Sequence, residues 1–193
     1  MTSPDRPQSP AKHGHLRFQP VTPALWGAFE RLFTAPGGPK HCWCMVWRRT
    51  PEELRDHPNG RTRKPLIHQR IARGEPVGLL GYLEAEPVAW VSIAPRETYR
   101  ELGGPPAASD EKVWSLVCFF LRRNLRNQGF GQQMLDAAVA RAQDAGATVL
   151  EAYPVDPDSP SYRFMGFLPA FKKLGFREIG LAGTRRHVMR LVL

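Results

Sequence analysis

Leu16 and Phe18 alternate with polar neighbours ahead of Pro20 and Val21, which predicts a short first strand. Pro23 then precedes an apolar stripe (Leu25, Trp26, Phe29, Leu32, Phe33) at helical spacing, and Pro36-Gly37-Gly38-Pro39 ends it. Asn59-Gly60 reads as a turn, and Leu66, Ile67 and Ile71 line one face of a second helix. Residues 79–83 and 88–93 are strand-like about Glu84-Ala85-Glu86-Pro87, the pattern of a hairpin. A loop at Gly103-Gly104-Pro105-Pro106 leads to 113–121, a nearly unbroken apolar run expected of a central strand buried on both faces. Gly131, Leu135, Ala138, Val139 and Ala142 form one helical stripe, stopped by Gly146. Residues 149–155 predict another strand and 162–174 a helix that Pro169 breaks or kinks; 176–179 and 188–193 predict closing strands.

The strand–helix–strand portion requires a parallel pair joined by a right-handed crossover, whereas the hairpin is antiparallel. The pattern therefore predicts an α/β domain over residues 15–193 with a mixed sheet, antiparallel in its N-terminal half. Residues 1–14, with Pro4, Pro7 and Pro10 and no apolar period, read as a flexible tail.

Composition narrows the class. With 193 residues and 42% hydrophobic content the chain can bury a full core. Three cysteines (Cys42, Cys44, Cys118) are too few for a disulfide framework, and no apolar run is long enough to span a bilayer. The expectation is a soluble protein of the reducing cytoplasm, with no membrane partner. The net charge of +9 favours anionic partners, among them nucleic acid and phosphorylated small molecules, and equally suits a merely soluble surface. Between Arg48 and Arg73 eight Arg or Lys face three acids. The aromatics cluster apart from the Arg61–Lys64 run, which weakens a nucleic-acid surface.

The most informative segment is Arg126-Asn127-Gln128-Gly129-Phe130-Gly131, between the buried strand and the amphipathic helix. A helix beginning here directs unpaired N–H groups and its positive dipole end at whatever precedes it, and Arg122, Arg123 and Arg126 add charge: a pyrophosphate site. A tight turn that simply needs glycine stays open beside that reading. A dinucleotide fingerprint fits poorly, because Met134 replaces its third glycine and Gly129 stands eight positions after Leu121. A P-loop fails for want of Gly-Lys-Ser/Thr.

The run from Val117 through Leu135 resembles motif A of the GNAT acyltransferase superfamily, with Arg126, Gly129 and Gly131 in its signature places. Phe171-Lys172-Lys173-Leu174-Gly175-Phe176-Arg177 is similar to the end of that family's motif B, and Glu84 to Trp90 to its turn into the third strand. The resemblance covers about residues 78 to 193. It implies a sheet whose parallel strand pair splays apart, helices on both faces, and acetyl-coenzyme A (acetyl-CoA) as co-substrate in the wedge. Backbone groups of Phe119, Phe120 and Leu121 would meet the pantetheine; Arg126, Asn127, Gln128, Gly129, Phe130, Gly131 and Gln132 would hold the pyrophosphate. The implied activity is N-acetylation of a small-molecule or protein amine by direct transfer. A homodimer is common among similar proteins.

An amine acceptor must lose its proton before it attacks, and Glu151, beside the wedge, is the candidate base; an outward-facing Glu151 is the alternative. Where many members carry a tyrosine acid this chain has Phe171, which can pack against the thioester but not protonate it. Tyr162, Tyr153 or water remain as donors, and helix packing is the plainer role for Tyr162. Loss of the acid also leaves a non-catalytic acyl-CoA sensor open. A covalent route through Cys118 lacks a nearby activating histidine. His41, Cys42 and Cys44 have zinc-ligating atoms but not zinc spacing, so no metal is expected. If that segment is helical, Trp43 and Trp47 share a face; core packing competes with a role for Trp43, Met45 and Trp47 as walls of the acceptor pocket.

Overall fold

The computed structural model describes residues 14–56 and 60–193. The expected tail, save Gly14, and Asn59 of the expected turn lie outside the described residues. Seven strands form one sheet in the order β1-β2-β3-β4-β5-β7-β6. They are β1 (Arg17–Pro20), β2 (Leu79–Leu83), β3 (Glu86–Pro95), β4 (Val113–Leu121), β5 (Val149–Ala152), β6 (Arg177–Ala182) and β7 (Arg186–Val192). Every neighbouring pair is antiparallel except β4 with β5. The helices are α1 (Trp26–Thr34), α2 (Pro51–Asp56), α3 (Arg63–Ala72), α4 (Phe130–Asp144) and α5 (Leu168–Lys173).

Alternation along the strands divides the core. Val91, Ile93, Leu116 and Leu150 face α4, whose Phe130, Met134, Leu135, Ala138 and Ala142 are buried against them. Leu80, Tyr82 and Trp90 point the other way, to α1 and α3. There the Trp90 ring meets Phe29 and Phe33 edge-on at 5.1 and 5.7 Å. With no exposed surface left on Trp90, its truncation to alanine would cost about 3–5 kcal/mol. The apolar stripes read from the sequence are the faces that pack, because a helix or strand is held by the face it buries.

Three expected elements differ. The strand expected over 149–155 ends at Ala152; Val155 makes only isolated bridges, to Phe167 and Arg186. The single helix expected over 162–174 is a 3₁₀ turn at Arg163–Met165 followed by α5. Gly166 sits at φ +92° between them, and Pro169 occupies the first turn of α5, where its missing N–H has no helical acceptor to lose. The cysteine–tryptophan segment is a series of turns and not a helix, with Trp43 and Cys44 in the left-handed region at φ +48° and +55°.

One irregularity matters for the site. The β3–β4 register shifts between Ser92 and Ile93, so that Ser92 pairs with Cys118 and Ile93 with Leu116. This bulge gives β4 one extra residue, Val117, and turns the strand's later side chains over. Leu116 faces α4, yet so do Phe119 and Leu121, while Cys118 and Phe120 point to the opposite face.

Candidate active site

β4 and β5 pair only from Val113–Val149 to Leu116–Ala152. Beyond that point β4 continues for five residues bonded to β3 alone, and β5 has turned away at Pro154. The result is a wedge whose β4 edge, Cys118 to Leu121, is half-buried. At its wide end the chain makes a 3₁₀ turn at Arg123–Leu125 and enters α4. Arg126 Nε donates to Leu121 O at 3.2 Å, and Gln128 Nε2 to Asn124 O at 2.8 Å, so local bonds shape the turn. Asn127 (φ +61°) and Gly129 (φ +82°) adopt left-handed backbone, and Gly129 is the N-cap of α4 without a side-chain cap. A Cβ at Gly129 or Gly131 would meet nothing within 4 Å. Packing in the fold therefore does not require these glycines to be small; they leave open space before a helix mouth whose first amides lack helical acceptors.

On the other face of β4 lies a cavity of about 340 Å³ bounded by Cys42, Cys44, Trp47, Cys118, Phe120 and Tyr162, with Pro39, Val46, Phe119 and Phe164 completing it. All three cysteines of the chain line it. Cys44 is central: Cys118 and Cys42 hydrogen-bond its sulfur, Arg48 adds positive charge, and together they outweigh burial and hold its thiol well below the usual range. The same hydrogen bond and burial push Cys118 up. Arg48 is buried, and its Nη2 donates to Val77 O (2.7 Å), Ser92 Oγ (3.1 Å) and Tyr99 OH (2.5 Å). Among the described residues no carboxylate pairs with it, and its charge favours the Cys44 thiolate. Burial pushes Tyr99 up to about 12, so it stays a neutral donor or acceptor.

The sequence-predicted residues fall into three groups. Phe119, Phe120 and Leu121 lie on the open β4 edge, and Arg126, Asn127, Gln128, Gly129, Phe130, Gly131 and Gln132 gather at its end; Phe130 itself is buried under α4. Trp47 and Tyr162 line the cavity, their rings 6.4 Å apart. The rest do not reach it. Trp43 and Met45 are core: Trp43 stacks on Phe33 at 5.4 Å, and Met45 has no exposed surface. The left-handed turn at Trp43 and Cys44 sends alternate side chains to core and cavity, which helical spacing could not show. Phe171 is 1% exposed, wedged between Phe176 (5.2 Å) and Phe119 (6.4 Å), and supports β4 from below.

Glu151 is held in a closed polar cluster. Its side chain lies on the same side of the sheet as the cavity but is fully enclosed. Arg190 Nε donates to Glu151 Oε2 at 2.7 Å, Arg96 Nη1 lies 3.5 Å from the same atom, and the Tyr153 hydroxyl donates to Oε1. Ser115, in register beside it on β4, shares a hydrogen bond with Tyr153 at 3.2 Å. Its lone pairs are occupied by two guanidiniums and a phenol, out of reach of solvent, the setting of a structural anchor. Arg186, Phe164 and Arg48 were missed by sequence reasoning; their roles depend on neighbours far away in the chain, and no local motif marks them.

The profile of the acetyltransferase (GNAT) family matches residues 41–167, which include the wedge, the turn and α4. No curated protein sequence matches the chain at a significant level. Among solved structures, similar folds include the PaiA N-acetyltransferase of Thermoplasma acidophilum in complex with coenzyme A (TM-score 0.54, 12% identity, 92% of this chain and 99% of that one). Another is the ribosomal-protein-alanine N-acetyltransferase of Brucella melitensis (0.53, 18%, 92% and 100%). A GNAT-family acetyltransferase of Listeria monocytogenes is a third (0.55, 13%, 92% and 95%). Identities this low speak for the fold alone. The family uses acetyl-CoA, and the open helix mouth and one-sided β4 edge fit such a donor. With the profile covering most of its length, the chain belongs to the acetyltransferase (GNAT) family.

Proposed function

We propose that the protein transfers an acetyl group from acetyl-CoA to an amine by direct attack in the cavity beside β4. The observation that carries this reading is the junction of the two halves of the site: the bulge in β4 turns Cys118 and Phe120 into the cavity, while the same strand's open edge leads to the space before α4. Bound there, acetyl-CoA supplies an activated acyl group on a thiol leaving group. The amides at Gln128 to Gly131 hold its diphosphate, and the unpaired edge of Cys118 to Leu121 offers N–H and C=O groups to its amide arm.

Among the described residues no carboxylate or histidine lines the cavity. Its apolar wall instead favours the neutral form of an entering amine, because burial disfavours the ammonium ion. Tyr162 is the hydroxyl on that wall, in place to donate to the departing sulfur. A thiol has a pKa near 8.5, so it leaves with little help. The enclosure of Glu151 favours a second reading, an acyl-CoA sensor that binds without turnover.

Calorimetry with coenzyme A, followed by a thiol-release assay with acetyl-CoA over a panel of amines, separates the two. Saturable binding with amine-dependent release supports transfer. Tight binding without release on any amine supports the sensor, and no binding overturns both.

A further inference from the structure

On Trp47, one wall of the cavity, two cations share one ring. The Arg100 and Arg186 guanidinium carbons lie 4.7 and 4.6 Å from the Trp47 ring centre, and Arg186 also lies 5.4 Å from that of Tyr162. Trp47 and Tyr162 both line the cavity. The residues come from four separate parts of the chain, and Arg100 N donates to Trp47 O at 2.9 Å, which ties two of them together. Elsewhere on the molecule Arg70, Arg73, Arg96, Arg122 and Arg190 are each paired with a carboxylate. Among the described residues neither Arg100 nor Arg186 is. Arg186 donates only to a carbonyl, Leu102 O at 2.9 Å. Burial, with repulsion from Arg100, pulls its pKa down against the weaker pull of Tyr162 and Tyr153. Arg49 is likewise lowered by burial and by Arg63 and Arg100. The Trp47 indole N–H is buried and has no acceptor among the described residues.

Like charges gathered around apolar rings, with a spare N–H donor among them, are costly unless an anion joins them. We propose that Arg100 and Arg186 form an anion subsite at the cavity mouth, and that the acceptor is an amphiphilic amine: an amino group at one end, an apolar body, and a carboxylate or phosphate-type group at the other. The amine end enters toward Cys118 and Phe120, the apolar body fills the cavity, and the anionic end remains at Trp47 between the two guanidiniums. Guanidinium forks suit planar carboxylate and tetrahedral phosphate alike. The subsite lies on the face of the sheet opposite α4, so it is separate from the donor's phosphate cradle. The inference rests on the acetyl-transfer reading for the role of the amine, but not for the anion.

The test uses probes that cannot be acetylated. Binding of hexanoate, hexylphosphonate and uncharged hexanol to the full chain is followed by quenching of tryptophan emission and by thermal shift, with and without saturating coenzyme A. The two anions are expected to bind with coenzyme A present and hexanol to bind far more weakly. Arg186→Met and Arg100→Met should each weaken the anions about tenfold or more, the worth of a hydrogen bond to a charged group. Coenzyme A affinity should stay unchanged. Arg100 is exposed, so its variant keeps the test valid if Arg186→Met does not fold. Arg73→Met is the control, being paired with Glu75 at 2.8 Å. A preference for phosphonate or carboxylate identifies which anion the acceptor bears. Equal binding of hexanol and the anions, or variants that weaken coenzyme A and not the anions, overturns the subsite while leaving acetyl transfer standing. Failure of coenzyme A to bind the wild type overturns the transfer reading instead.

Discussion

Arg190 on β7 and Glu151 on β5 are register partners in adjacent antiparallel strands, and the guanidinium meets the carboxylate at 2.7 Å with no exposed surface left on the acid. The pair ties the short β5, which stops just as the wedge opens, to the C-terminal half of the sheet. Glu151→Gln should therefore act on stability, at a cost of about 1–3 kcal/mol, since it turns charge-assisted hydrogen bonds into neutral ones while Arg190 keeps Glu111 at 3.3 Å. Denaturant unfolding of the purified variant measures the cost. The folded fraction should retain the wild-type dependence of rate on pH. A lost or displaced limb with unaltered stability would restore Glu151 as a base.

Gly131 distinguishes a structural glycine from a ligand-approach glycine. Because a Cβ there meets nothing within 4 Å and its φ is not positive, Gly131→Ala should leave the free protein as stable as wild type or better by about 0.5–1 kcal/mol. The same methyl group stands in the proposed diphosphate site, so calorimetry should show coenzyme A affinity reduced tenfold or more. A variant that binds normally would return this glycine to a role in the turn. At Gly129 the left-handed backbone adds a folding cost of about 1–2 kcal/mol, which makes that position the poorer probe.

Cys44 should react first among the three thiols. Its hydrogen bonds from Cys118 and Cys42 and the Arg48 charge favour the thiolate, while Cys42 and Cys118 are pushed up. Iodoacetamide at pH 7, followed by peptide mass mapping, should find the label on Cys44, with a rate that rises less steeply with pH than that of an ordinary thiol. Arg48→Met should bring back an ordinary rise with pH. Preferential labelling of Cys42, the most accessible by position, would contradict the pairing.

His187 on β7 bridges Glu178 (2.7 Å) and Asp156 (3.2 Å). Burial opposes its protonation, but the two hydrogen-bonded carboxylates prevail and its pKa is raised from 6.5. A pKa raised by folding gives stability that is fully present below the unfolded value and lost as pH rises through the folded one. His187→Gln should thus lower the unfolding midpoint more at pH 6 than at pH 9. An equal drop at both would remove charge from the account.

What could be read along the chain was local. The Arg126 to Gly131 turn, the buried run of β4 and the apolar face of α4 each depend on neighbours within a few positions, so pattern alone found them. The facing of Glu151 could not be read that way, because its partners Arg96 and Arg190 come from other strands. The bulge at Val117 defeats strict alternation: counting in twos from Leu116 sends Cys118 and Phe120 toward α4, the wrong side of the sheet. Trp43 and Cys44 adopt a left-handed backbone that no glycine announces, so the condition on which Trp43 and Trp47 would share a helical face is not met. Arg100 and Arg186 meet over Trp47 only because the chain folds, and nothing at either position marks the meeting.

The last five residues of β4 have a neighbour on one side only. In the free protein their outward amides trade hydrogen with water through an opening that costs little, and a bound donor would stand in for the missing strand. Deuterium uptake at 117–121 should slow several-fold when coenzyme A is added, while uptake at 113–116, already sealed by β5, stays as it was. Occupancy of the site would then be legible as the completion of a sheet, residue by residue, without turnover being observed.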